Sequence, residues 1–214
     1  MKAVLFHVSE EPNLDIFLPR STPQDGPLLS ERSVWAIDEA HLVNYLLPRD
    51  CPRVTFAVTA STSEADRTRF FPAGVSRLVT IEANWLVRAM GTAVYVYTLL
   101  PETFELSDAN AGYWISRERV KRQSVTEVLA APLEIIRRGG ELRLVESLWP
   151  LHDVAAASTL EFSMIRMRHA KKSLAKKRRS IRSSLSDPII KQRRRNAVVR
   201  TQNRTATSRP RPLP

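Results

Sequence analysis

Apolar positions fall in short runs of roughly four to eight residues, separated by turn formers, which is the spacing of strands more than of long helices. Residues 2–8 are nearly continuously apolar and read as a first, buried strand. Glu11-Pro12 and Pro19 break the chain, and residues 21–26 form a loop of turn formers. Residues 33–37, with Val34, Trp35 and Ile37, read as a second strand. Asp38 then stands at an N-cap position. Ala40, Val43, Leu46 and Leu47 follow near helical spacing, and Pro48 ends the predicted helix. Residues 53–60 alternate Val54, Phe56 and Val58 as a third strand. Ser61-Thr62-Ser63-Glu64 opens a short polar helix that stops near Pro72-Ala73-Gly74.

The second half repeats this texture. Residues 75–82 are a strand, 84–90 a short helix closed by Gly91, and 93–100 a strand dense in Val and Tyr. Residues 104–106 read as a brief strand, and 112–116 and 120–126 as strands or one strand with a bend. Residues 128–138 fit a helix closed by Gly139-Gly140, with Arg137 and Arg138 in the last turn, where cations suit the dipole. Residues 141–146 are a last strand, and Pro150 opens a helix through Leu160 toward Met167. Strands with short helices between some of them indicate an α+β class.

Charge divides this pattern in two. Residues 1–165 hold 16 Lys/Arg against 21 Asp/Glu, a net of −5. Residues 166–214 hold 17 Lys/Arg against the single acid Asp187, a net of +16. Residues 1–165 therefore read as one globular domain and 166–214 as a basic tail. No apolar run approaches the ~20 residues that span a bilayer, so no membrane span is expected. The N-terminal apolar run, interrupted at His7, is too short for a signal peptide. Cys51 is the only cysteine, which excludes an internal disulfide and makes a cytoplasmic setting the expectation.

In the tail, Met164, Met167, Leu174, Ile181 and Leu185 recur at three-, seven- and four-residue steps. They would line one face of a helix crowded by Lys171, Lys172, Lys176, Lys177, Arg178 and Arg179. Asp187-Pro188 would end it, Arg193, Arg194 and Arg195 add a second cluster, and residues 201–214 have the composition of a disordered end. The tail thus suits nucleic acid, bound through phosphates. No aromatic residue follows Phe162, which argues against base stacking. A solvated extension with no partner has the same composition.

Candidate chemistry in the body is sparse. His7 lies on the first strand between Phe6 and Val8 and faces away from both, as a hydrogen-bonded core histidine would. Cys51 sits between Arg49 and Arg53, where cations would favour a thiolate, although a small buried residue fits equally. The histidines show no metal-ligand spacing, so no metal is expected. Asp38, Glu39 and His41 share a helix start, where caps explain the acids.

Two resemblances add to this. Leu5-Phe6-His7-Val8-Ser9, then Pro12-Asn13-Leu14-Asp15-Ile16 and Pro19, then Val34-Trp35-Ala36-Ile37 before a helix with Tyr45, resembles the opening of the ADP-ribosyltransferase-like fold. The resemblance implies a transferase in which His7 and Ser9 hold a ribose and Tyr45 helps hold nicotinamide, with NAD as cofactor. It also implies a catalytic Glu at the start of a late strand. Here that start reads Asn110-Ala111-Gly112, and Glu118, beyond the strand, is the stand-in catalytic acid beside His7. The RNA 2'-phosphotransferase branch holds phosphate with basic and hydroxyl groups and needs no such Glu; Arg20, Arg49 and Arg53 are candidates for it. The body as a whole resembles an uncharacterised bacterial family, a domain of unknown function. That likeness rests on residues 6–19, 34–53, 112–117, Leu148-Trp149-Pro150-Leu151 and Ser158-Thr159-Leu160. The alternative to an enzyme is a non-enzymatic interaction module with a nucleic-acid-binding tail.

Overall fold

The computed structural model describes residues 4–21 and 32–172. The first of its two compact units runs through Lys171. It is α+β, with twelve strands and four short helices among the described residues. The strands are β1 (Leu5–Ser9), β2 (Ile16–Phe17), β3 (Val34–Ile37), β4 (Arg53–Ala57), β5 (Arg77–Glu82) and β6 (Val94–Leu99). They continue with β7 (Glu105–Asp108), β8 (Tyr113–Ser116), β9 (Val120–Lys121), β10 (Ser124–Val128), β11 (Glu141–Val145) and β12 (Glu161–Ile165). The helices are α1 (Glu64–Phe70), α2 (Leu86–Gly91), α3 (Ala131–Arg137) and α4 (Trp149–Ala155).

Six strands form an antiparallel sheet in the order β10-β6-β1-β3-β8-β7. Four form a second sheet, β11-β5-β4-β12, in which only the β11–β5 pair is parallel. A small ribbon, β2–β9, makes a third. Alternation along each strand sends side chains to two different layers. Ile37, Val94, Val96 and Val128 of the first sheet meet Val79 and Ile81 of the second, with Leu42, Leu46, Leu47 and Ile135 between them. The opposite face of the first sheet buries Leu5, Val34 and Tyr97 under Phe17 and Val120 of the ribbon. The opposite face of the second buries Val54, Phe56 and Leu78 under Phe70, Leu148 and Ala155.

The local signals explain several ends. Ser63 caps α1 by accepting the Asp66 amide, as its residue type predicts. Gly139, at φ 78, closes α3 in a conformation that costs glycine nothing. Two expectations fail. The helix expected behind Asp38 is a single 3-10 turn, Leu42–Tyr45. A helix would leave the Asn44 carbonyl without its i+4 donor, because Pro48 has no N–H, and Arg53 Nε donates to it instead. The helix expected from Pro150 toward Met167 stops at Ala155, and β12 follows. Ser158 and Thr159 turn the chain there: the Ser158 hydroxyl donates to the Ala155 carbonyl, and the Thr159 amide and hydroxyl both donate to Asp66 of α1. Met164 and Met167 consequently pack on the body's core and do not open a tail helix. No helix of the described residues is long and apolar enough to cross a membrane.

Candidate functional site

The first sheet carries a seam. β1 and β6 register over five residue pairs, whereas β1 and β3 register at one among the described residues, Phe6 with Ile37. Just beyond that pair the His7 ring crosses the gap, with Nδ1 2.8 Å from the Trp35 carbonyl oxygen. A carbonyl only accepts, so Nδ1 carries the hydrogen. Desolvation is the largest influence on the ring and pushes its pKa below the ordinary 6.5; the Trp35 bond opposes this, and the charges of Arg49 and Arg20 add to the lowering. The neutral ring then has one free lone pair, on Nε2. It can accept a hydrogen bond from a hydroxyl, or a proton, within the charge influence of Arg49 and Arg20.

The sign of the pH effect follows. The native state holds His7 neutral at a pH where the unfolded chain protonates it, so the unfolded state binds more protons and stability falls as pH drops through 6.5 toward the lowered native value. Comparing Tm from pH 7.5 to 5.5 for the native chain and His7→Gln should show the steeper acid loss in the native chain. Parallel curves would contradict a depressed His7.

Arg49 reaches this seam because the 48–53 loop is fixed from beneath. The Arg49 amide donates to Glu10 Oε1 at 2.7 Å, tying the loop to the end of β1. Arg53 is buried, 3% exposed, and donates to the carbonyls of Asn44 (2.7 Å), Cys51 (2.8 Å) and Pro48 (3.4 Å). Its guanidinium also lies 5.8 Å from the Tyr45 ring centre. Arg166, half-buried, follows β12. Desolvation chiefly depresses its pKa, the like charges of Arg168 and Arg49 add to that, and the charge of Asp50 opposes it. Arg166 also holds a left-handed backbone, φ 55, a conformation unusual outside glycine. Among the described residues, no carboxylate forms an ion pair with Arg20, Arg49 or Arg166.

Not all the expected site residues converge here. Ser9 ends β1 near His7, with its hydroxyl accepting the Glu11 amide at 3.1 Å. Tyr45 lies across the sheet: His7 contacts Phe17 on the ribbon face, while Tyr45 contacts Tyr113 on the inter-sheet face. The Tyr45 hydroxyl is 3.4 Å from the Ala111 carbonyl, and burial raises its pKa. Glu118 is exposed beyond the end of β8, its amide donating to the Ser116 hydroxyl. Cys51 is buried, and desolvation lifts its thiol to about 11, so the thiolate reading gives way to packing. Lys171 Nζ pairs with Glu146, and Lys172 is exposed. Lys176, Lys177, Arg178, Arg179, Arg193, Arg194 and Arg195 lie outside the described residues.

One constellation escaped the sequence. His41 is 6% exposed, with Nδ1 2.7 Å from Asp38 Oδ1 and Nε2 3.2 Å from Glu161 Oε1. Arg77 stands 3.8 Å from the same Glu161 oxygen. Asp38 accepts the His41 amide at 2.9 Å, although the N-cap of the 3-10 turn that follows is His41, so capping a helix does not account for that acid. Glu161 is 120 residues away, and no local signal marks it. Carboxylates only accept, so both contacts are hydrogen bonds when the ring bears both protons. This cluster clasps the sheets together; among the described residues no His, Cys, Asp and Glu group could hold a metal ion.

Fold and site together define a three-sheet α+β domain with a half-buried imidazole at the sparsely paired β1–β3 junction, within the charge influence of Arg49 and Arg20. The chain belongs to the family of unknown function DUF6886, whose family model matches residues 6–170. No curated protein and no solved structure matches it.

Proposed function

We propose that the domain binds a phosphorylated ribonucleotide at the His7 seam and acts on it as a transferase of the RNA 2'-phosphotransferase-like kind. One observation carries this reading: the Nδ1–H of His7 is committed to the Trp35 carbonyl, which leaves Nε2 as an acceptor within the field of Arg20 and Arg49. Nε2 accepts a ribose hydroxyl, and the guanidiniums take phosphate oxygens through charge-assisted hydrogen bonds. Arg53 supports the loop from within instead of touching ligand. The ADP-ribosyltransferase-like version, with NAD as cofactor, has less support. It calls on Tyr45, which lies across the sheet, and on an acid at Glu118, which is exposed beyond β8.

Thermal-shift titration with adenosine 2'-phosphate and with NAD, each to millimolar concentration, tests the reading. Saturation at 100 times Kd should add about 2.7 kcal/mol of stability. Arg49→Ala should weaken adenosine 2'-phosphate by roughly 10- to 100-fold, the worth of a hydrogen bond to a charged group. No shift with either compound would end the enzyme reading. If single-stranded RNA still bound, with affinity falling steeply with salt, the second reading would stand. That reading is an interaction module held on nucleic acid by its tail, favoured by the +16 charge of residues 166–214.

A further inference from the structure

The helices α2 and α3 are apolar on two sides. Inward, Ala89 of α2 and Ala131 and Ile135 of α3 are fully buried in the core between the sheets. Outward, α2 exposes Val87 (83%) and Met90, and α3 exposes Leu133 and Ile136 (57%). Each outward pair is three residues apart, so its members are neighbours on one helix face. The two helices pack against each other and their inward residues enter the same core, so the outward faces share one side of the body. Leu129, 65% exposed, stands just before α3. A helix that is apolar all round is ordinarily covered all round. Exposed aliphatic surface with a polar rim marks an interaction site.

The rim here is basic. Arg88, Arg137 and Arg138 are exposed. Glu134 is the only acid in the two helices, and Arg138 at 2.8 Å and Arg137 at 3.8 Å already engage it. Trp85, half-buried before α2, has the Arg88 guanidinium 5.2 Å from its ring centre, and such a ring suits a boundary between apolar and wet surroundings. These charges select the occupant. A second copy on this face would set arginines against arginines, with Glu134 already engaged. A nucleic acid would take the arginines and leave the aliphatic side chains in water. An anionic bilayer satisfies both, because acyl chains take the aliphatic groups and headgroup phosphates take the guanidiniums.

We infer that the α2–α3 face docks on an anionic membrane surface, lying on the bilayer without crossing it. Stable attachment of this kind needs two signals, a shallow apolar one and an electrostatic one. The sequence carries the second: residues 166–214 hold +16, which outweighs the −5 of residues 1–165. The inference is independent of the ribonucleotide reading of the His7 seam.

The test is co-sedimentation of the full chain with phosphatidylcholine vesicles, with and without phosphatidylglycerol. The native chain should bind the phosphatidylglycerol vesicles and not the neutral ones. The tail attracts every variant equally, so the face is read from substitutions within it. Leu133→Ser together with Ile136→Ser should weaken the partition about tenfold, and Arg137→Gln about fivefold. Leu106→Ser, at an exposed leucine of β7, should leave it unchanged. All four side chains are exposed, so each variant should keep the native Tm. Cys51 is buried, so Ile136→Cys takes a thiol dye selectively. An environment-sensitive dye there should shift to the blue on phosphatidylglycerol vesicles, and the same dye on Leu106→Cys should not. Native-strength binding by the doubly substituted chain would overturn the inference and leave the tail as the whole attachment. A dye at position 136 that stays in water on the bound chain would overturn it too. So would a native chain that binds neither vesicle, which would point to a protein partner for the face.

Discussion

Gly112→Ala is expected to cost roughly 4 kcal/mol of unfolding free energy, combining the strain of a left-handed alanine with overpacking. Gly112 has φ 66 and sits just before β8. An added Cβ would fall 2.2 Å from Nδ1, 2.5 Å from Cγ and 2.8 Å from Cβ of His41. None of these atoms is the loose end of a flexible chain. His41 is anchored through both nitrogens, to Asp38 and Glu161, so it cannot swing aside without breaking the clasp. The Gly112 carbonyl also accepts the Asp38 amide at 3.1 Å, so a shift of the glycine disturbs the same cluster from its other side. Denaturant titration measures the loss. A drop below about 1 kcal/mol would mean that the clasp is pliable, contrary to the packing described, since ordinary surface changes fall within that range.

Arg53→Ala is the second large effect, expected near 3 kcal/mol. Two terms oppose each other. Removing a buried cation relieves desolvation, which already depresses the guanidinium's pKa. Against that, the Asn44 and Cys51 carbonyls lose their side-chain donor, the Tyr45 ring loses a cation above it, and the side chain leaves a void. Orphaned buried acceptors cost about 1–3 kcal/mol each, so the second group wins. For a domain of this size the loss should appear as a Tm fall of roughly 6–12 °C. Arg53→Lys should recover little, because an ammonium is a single point donor and lacks the guanidinium's fork. Full recovery by lysine would show that charge alone, and not the fork on the carbonyls, supports the loop.

These two residues differ in how far the sequence announces them. Arg53 opens a strand that alternation reveals, but a charged residue at a strand start reads as exposed. Only its hydrogen bonds to the carbonyls of Asn44, Pro48 and Cys51 show that its head group is enclosed. Gly112 precedes the Tyr-Trp-Ile run of β8, where a glycine reads as an ordinary turn. Its necessity comes from His41, 71 positions earlier in the chain. The helix expected behind Asp38 is instructive in the same way. Apolar spacing there was near helical, yet Leu42, Val43, Leu46 and Leu47 are all buried between two sheets. A segment enclosed on several sides has no single apolar stripe to obey, and the Asn44 carbonyl, which Pro48 cannot serve in a helix, is satisfied by the tertiary donor Arg53.

The sequence by itself determined the texture of this protein: short strands, brief helices, the ends marked by Ser63 and Gly139, an acidic body and a basic tail. Those features follow from neighbours in the chain, through alternation, capping and charge density. It left His7 on the first strand open between a hydrogen-bonded core histidine and a ligand-holding residue. Only the tertiary structure decided what surrounds that histidine. The strand order put β1 beside β3 at a loosely paired seam, committed Nδ1 to Trp35, and sent Tyr45 to the opposite face. It likewise brought Glu161 to His41 and Lys171 to Glu82. Such pairs form because folding the two sheets face to face buries apolar surface wherever it lies in the chain. The polar groups caught between the sheets must then find partners at any sequence distance, which no local pattern records.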